Sequence, residues 1–155
     1  MESKTGFILT KTSLDREQLI TELGTDSLTF EVVVTDNGLP KQTDSATVTV
    51  QVFDENDNTP AFTSEHYVAQ VSEGLALGSE VKSVYAVDED LGENGRIVYS
   101  ILGREHHAQF GVNSSSGLIY LTSALDRETV SQYELHVQVS VLFTHILIII
   151  ACDIF

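Results

Sequence analysis

The chain has 155 residues, 23 Asp and Glu against 8 Lys and Arg, and a formal charge of −15. Such acidity argues against nucleic acid and anionic membrane surfaces, which both need basic patches, and it favours cations. With 42% hydrophobic residues the chain is no disordered acidic tail. The single Cys152 excludes an internal disulfide framework, so an extracellular protein of this sequence would need another source of rigidity, for which Ca²⁺ is the candidate.

In chain order, Met1 to Thr5 contain no apolar leader core, so no signal peptide is visible and the sequence reads as a fragment or as lacking its start. The segment Gly6 to Glu17 ends in Leu14-Asp15-Arg16-Glu17. Phe30, Val32 and Val34 then alternate with Glu31, Val33 and Thr35, the period-two pattern of a half-buried strand. Asp36-Asn37-Gly38-Leu39-Pro40 is a turn. Ala46, Val48, Val50 and Val52 alternate with Thr47, Thr49 and Gln51 in a second strand.

Next come five consecutive oxygen-bearing side chains, Asp54-Glu55-Asn56-Asp57-Asn58, followed by Thr59-Pro60 and the apolar Ala61-Phe62. A hard cation such as Ca²⁺ takes about six to eight oxygens from carboxylates, amides and carbonyls. Pro60 pushes Thr59 toward extended backbone, so the segment reads as an extended connector. Further strands follow at Tyr67–Val71 and Ile97–Ile101, separated by Ser72-Glu73-Gly74, Asp88-Glu89-Asp90 and the turn signal Asn94-Gly95. His106-His107 reads as an exposed loop pair, since adjacent side chains on an extended chain point apart. Asn113-Ser114-Ser115 is an N-glycosylation acceptor in a loop.

Gly117 to Glu128 repeats the Gly6 to Glu17 segment at an offset of 111 residues and again ends in Leu-Asp-Arg-Glu. An alternating strand follows here too, with Tyr133, Leu135, Val137 and Val139 on one face. A period this long suits whole domains in tandem rather than a solenoid. No stretch repeats convincingly at 3.6 residues. The expected fold is therefore all-β, a pair of tandem sandwiches. Residues 1–57 read as the C-terminal half of one repeat, 58–140 as a second repeat without a recognisable final strand, and 141–155 as an apolar tail. That tail is too short to cross a membrane as a helix, which takes about 20 residues. It reads as foreign sequence, with a substitute strand as the alternative.

The ordered set of Leu-Asp-Arg-Glu, Asp-Glu-Asn-Asp-Asn with Pro60 and Phe62, Ser-Glu-Gly, Asp-Glu-Asp and a second Leu-Asp-Arg-Glu resembles tandem cadherin extracellular repeats across residues 5–140. The absence of Trp and the long Asp88 to Gly95 segment are closer to the protocadherin, Fat and Dachsous branches. The resemblance implies Greek-key (immunoglobulin-like) sandwiches and three Ca²⁺ ions at each junction between repeats. By position, Asp15 and Glu17 would serve the first two ions with Asp57 and the Glu55 carbonyl. Asn56, Asp88 and Asp90 would serve the third, Asp90 also reaching the second, with the carbonyls of Asn58 and Asn94 completing the set. Glu73, Asp126 and Glu128 match ligands of a following junction, and Asp36 one of a preceding junction. Val141 stands where the second repeat should carry an Asp for the third ion.

Converging carboxylates fit a cation-dependent joint: unit charges about 5 Å apart repel by roughly 3 kcal/mol at an effective dielectric near 20. The implied function is Ca²⁺-dependent cell–cell adhesion through other cadherin-type ectodomains, homophilic or heterophilic. The implied location is the extracellular side of the cell membrane, held there by a parent protein's anchor. The alternative is a truncated product that binds Ca²⁺ weakly and does not adhere. No nucleophile, base or phosphate-cradling loop accompanies the acids, so neither an enzyme nor a small-molecule substrate is expected.

Overall fold

The computed structural model describes residues 6–103, 108–141 and 144–155, and the His106-His107 pair lies outside the described residues. The chain divides into two compact units, Met1–Asp54 and Glu55–Phe155.

The first unit opens with a helix that no apolar period announces, α1 (Arg16–Leu23). Its signals are its caps. Asp15 accepts the Gln18 N–H at 2.8 Å, and Gly24 closes the helix at φ 71° with its N–H on the Ile20 carbonyl. Eight residues are too few to show a stripe, so an N-cap Asp followed by Gln three positions on carries the information.

The strands β1 (Ser27–Thr35) and β2 (Thr43–Gln51) form an antiparallel hairpin. Alternation sorts its residues by face. Leu28, Phe30, Val32 and Val34 stand opposite Val50, Val48, Ala46 and Asp44, so one face is apolar except at its tip. The other face carries Thr29 opposite Thr49 at 3.1 Å, Thr35 opposite Thr43 at 3.2 Å and Ser27 bonded to Gln51 at 2.7 Å. In the turn, Asp36 Oδ1 accepts the N–H groups of Gly38 and Gln42, and these donors hold its carboxyl below the usual carboxylate range.

The second unit contains β3 (Ala61–Phe62), β4 (Tyr67–Val71), β5 (Glu80–Ser83), β6 (Ala86–Val87), β7 (Val98–Leu102), β8 (Phe110–Val112), β9 (Leu118–Leu121), β10 (Gln132–Val141) and β11 (Thr144–Ile154). A four-stranded sheet runs β4-β11-β10-β7 and a three-stranded sheet runs β5-β9-β8, with β3 and β6 paired separately. Inward residues of the two sheets, joined by Val84 just after β5, form one core that includes Phe110, Ile119, Leu121, Leu135, Val137 and Ile150. Each such aliphatic side chain contributes about 1.5–3 kcal/mol on burial. The unit is an all-β sandwich, as its alternation predicts.

Of the two readings for 141–155, a foreign tail or a substitute strand, the topology displays the strand. Val141 is fully buried as the last residue of β10, and Thr144–Ile154 is the long strand β11. β11 pairs antiparallel with β10 and parallel with β4. Ile148, Ile150, Cys152 and Ile154 face the core. Leu147 and Ile149 face outward, each 48% exposed. Because both faces of β11 are apolar, the period of two is invisible in its sequence.

Candidate metal centre

Each unit carries part of the acidic set. In the first, the N-cap role of Asp15 fixes the start of α1 and so places Arg16 and Glu17 in its first turn. The Arg16 side chain is buried, its guanidinium paired with the Glu17 carboxylate and, at 2.6 Å, with Asp54 Oδ1. Asp54 opens the acidic run, but the positional mapping left it out. Its signal was present, since it is the first carboxylate of Asp54-Glu55-Asn56-Asp57-Asn58.

In the second unit, Pro60 is buried and Phe62 packs edge-on to Tyr67 with ring centroids 6.3 Å apart, which anchors the end of the run. Asn58 donates from its Nδ2 to Asp90 Oδ1 at 2.6 Å and from its backbone to Asp90 Oδ2 at 3.3 Å. The same Nδ2 reaches Asp57 Oδ1 at 3.2 Å. Asp90 is buried, and its N–H donates to Asp88 Oδ1 at 3.0 Å. The turn that follows is close-packed: a Cβ on Gly95 would lie 2.1 Å from the Asp90 carbonyl oxygen. Asn94 donates its N–H to the Leu91 carbonyl. The Glu55 carbonyl accepts the Asp57 N–H at 3.0 Å.

Two buried oxygens in this second group, Asn56 Oδ1 and Asp88 Oδ2, find no hydrogen-bond donor among the described residues. A buried acceptor left without a donor costs about 1–3 kcal/mol, more for a charged group. Oxygen-only donors, two of them buried and unsatisfied, fit a hard divalent cation of the Ca²⁺ kind and would not suit a soft metal.

The acids matched to neighbouring junctions lie elsewhere. Asp126 accepts both the N–H and hydroxyl of Thr129, Glu73 accepts the Arg127 N–H at 3.3 Å, and Glu128 pairs with the Arg127 guanidinium at 3.3 Å. Asp36 sits in the hairpin turn of the first unit. Asn113 lies exposed between β8 and β9, its Oδ1 accepting the N–H groups of Ser115 and Ser116 at 3.0 Å.

The Cadherin domain family model matches residues 67–145. The chain belongs to the cadherin family. It is 42% identical over 125 residues to Protocadherin Fat 4 of Mus musculus, covering 81% of this chain and 2% of that protein. It is 40% identical over 143 residues to human Cadherin-23, covering 90% of this chain and 4% of that protein. Among solved structures, mouse Cadherin-23 EC22-24 superposes with a TM-score of 0.82 at 27% identity, over 93% of this chain and 45% of that one. The protocadherin gammaB4 extracellular domain gives 0.82 at 28% identity, over 94% of this chain and 21% of that one. The chain thus spans a few per cent of the length of its curated relatives. The family is one of adhesion proteins rather than enzymes, and this chain is a cadherin-type module. No helix among the described residues is long and apolar enough to cross a membrane.

Proposed function

We propose that this module is a rod segment of a Ca²⁺-dependent adhesion protein, displayed outside the cell, with the acidic run between its two units as the Ca²⁺-dependent joint. In this reading residues 1–57 end one repeat and the next begins at 58. The unsatisfied buried oxygens of Asn56 and Asp88, set beside buried Asp90, are the observation that carries the reading. Asn56, Asp88 and Asp90 supply ligands from the second unit, with the Asn58 and Asn94 carbonyls. Asp15, Glu17, Glu55, Asp57 and Asp54 supply the remainder. A bound Ca²⁺ would convert mutual repulsion among these acids into coordination and stiffen the connector. The partners are other cadherin-type ectodomains, whether copies of the parent protein or related chains. Asn113 is an exposed acceptor for an N-linked glycan.

One observation favours the alternative of weak binding: Val141, which stands where a ligand Asp is expected, is fully buried. Extracellular Ca²⁺ modules often sit near 10⁻⁴–10⁻³ M, and a missing carboxylate moves affinity toward the weak end. Calorimetric titration of the 155-residue chain, paired with proteolysis at Glu55, tests the reading. Ca²⁺ should bind and protect, Asp88→Ala should weaken both effects, and Mg²⁺ should protect far less. Equal protection by millimolar Mg²⁺, or unchanged Ca²⁺ affinity in Asp88→Ala, would sink the proposal.

A further inference from the structure

The geometry points to Arg16 as a built-in counter-cation that competes with Ca²⁺ for the carboxylates of the first unit. The inference rests on the Ca²⁺ reading above and adds a device that sets the affinity of that site. Arg16 is one of two buried charged residues among those described, the other being Asp90. Its side chain is 4% exposed, and those of its partners Glu17 and Asp54 are 17% and 14% exposed. A buried guanidinium is costly unless it is paired, and here one charge serves two carboxylates. Glu17 is among the acids that the Ca²⁺ reading assigns to the ion, and Asp54 opens the acidic run that supplies the others.

In this chain the second copy of the motif holds its arginine in a different setting. Arg127 is 52% exposed and touches Glu128, itself 71% exposed, at 3.3 Å. Water screens that pair, and such surface pairs contribute little. The two arginines share a sequence context and differ in burial and in the additional partner, Asp54.

The consequence has a definite sign. Without Ca²⁺, Arg16 offsets one of the two negative charges on Glu17 and Asp54 and holds these two acids together. A Ca²⁺ drawn to these carboxylates would meet the same positive charge, which would oppose it. Arg16 therefore stabilises the unloaded chain and weakens binding, which keeps the site reversible near extracellular Ca²⁺ concentrations. A residue that merely oriented the carboxylates would do the reverse: its loss would weaken binding.

The test compares Arg16→Gln with Arg127→Gln in the full 155-residue chain. The second variant removes the same charge from the exposed copy. Two quantities are read: Ca²⁺ affinity by calorimetry, and thermal stability in chelator followed by circular dichroism. Arg16→Gln should bind Ca²⁺ about tenfold more tightly, the scale of one unit charge close to the ion in a partly screened site, and should melt earlier in chelator. Arg127→Gln should match the parent in both. Arg16→Lys, which keeps the charge but loses the planar fork, should lie between, and it stands in if Arg16→Gln does not fold. Weaker or unchanged Ca²⁺ binding in the folded Arg16 variants overturns the competition while leaving the Ca²⁺ reading intact. Absence of Ca²⁺ binding in parent and variants alike overturns both.

Discussion

The hairpins β1–β2 and β10–β11 have nearly the same design and opposite environments. Leu28 pairs with Val50, Phe30 with Val48 and Val32 with Ala46. Tyr133 pairs with Cys152, Leu135 with Ile150 and Val137 with Ile148. Both present one apolar face in the same register. In the second unit Leu135 and Val137 are 0% exposed, whereas Phe30 and Val32 are 36% and 41% exposed. Alternation along a strand thus decides which face is fit to be covered, and the opposing sheet decides whether it is. Only the second hairpin has that sheet, β5-β9-β8, among the described residues. The glycines of the repeated segment show the same contrast. Gly6 and Gly117 share a left-handed φ of 62° and 70°. A Cβ at Gly6 meets nothing within 4 Å, whereas one at Gly117 lies 2.2 Å from the Val84 carbonyl oxygen.

The sharpest way to break this comparison is to truncate matched positions. Leu135→Ala should cost about 3 kcal/mol through lost burial and a cavity, and Phe30→Ala under about 1 kcal/mol because its face is already wet. Urea unfolding would check both, and equal losses would show that the first hairpin is covered after all. Val141→Asp is next. The resemblance implies an Asp there, but Val141 is fully buried, so the substitution should destabilise the second unit by about 3 kcal/mol. A stable variant with stronger Ca²⁺ binding would show that β10 and β11 can part at that end.

Cys152 gives a comparable figure through pH. Burial raises its thiol from the ordinary 9.0 to about 11, with Asp153 adding to the shift. The folded form favours the protonated thiol, so this contribution is complete below pH 9 and fades as pH climbs through 11. The loss should reach about 2–3 kcal/mol at 1.36 kcal/mol per pKa unit, and Cys152→Ala should remove that limb of the curve. The smallest contrast lies between the glycines. Gly117→Ala should cost about 2 kcal/mol from left-handed strain and collision together, and Gly6→Ala about half that from strain alone. Equal costs at the two positions would mean that the Val84 carbonyl yields freely.

What the sequence discloses follows from the same physics. The alternating strands were readable because one face of each is polar. β11 was not, because Leu147 and Ile149 are as apolar as the inward Ile148 and Ile150. Helix α1 escaped a search by period because its evidence lies in two caps. That the acidic run offers only oxygen donors was readable from its residue types alone. The place of Arg16 was not, because its partner Asp54 is distant in sequence and only folding brings the two together. The role of Asp54 is tied to that same buried pair. Residues 141–155 stood outside the expected repeat, and the family match also stops at 145. β11 nonetheless fills the sheet between β4 and β10, which is a demand of backbone pairing and burial and not of family sequence.

The parallel pairing of β4 with β11 has a mechanical meaning. Five rungs, from Tyr67 opposite Ile150 to Val71 opposite Ile154, join the first long strand of the second unit to its last. Strands that run the same way, pulled from opposite termini, slide along each other instead of peeling apart. Tension carried along the chain therefore loads all five rungs together in shear, and β11, the strand least recognisable as family sequence, becomes the tie that bears it.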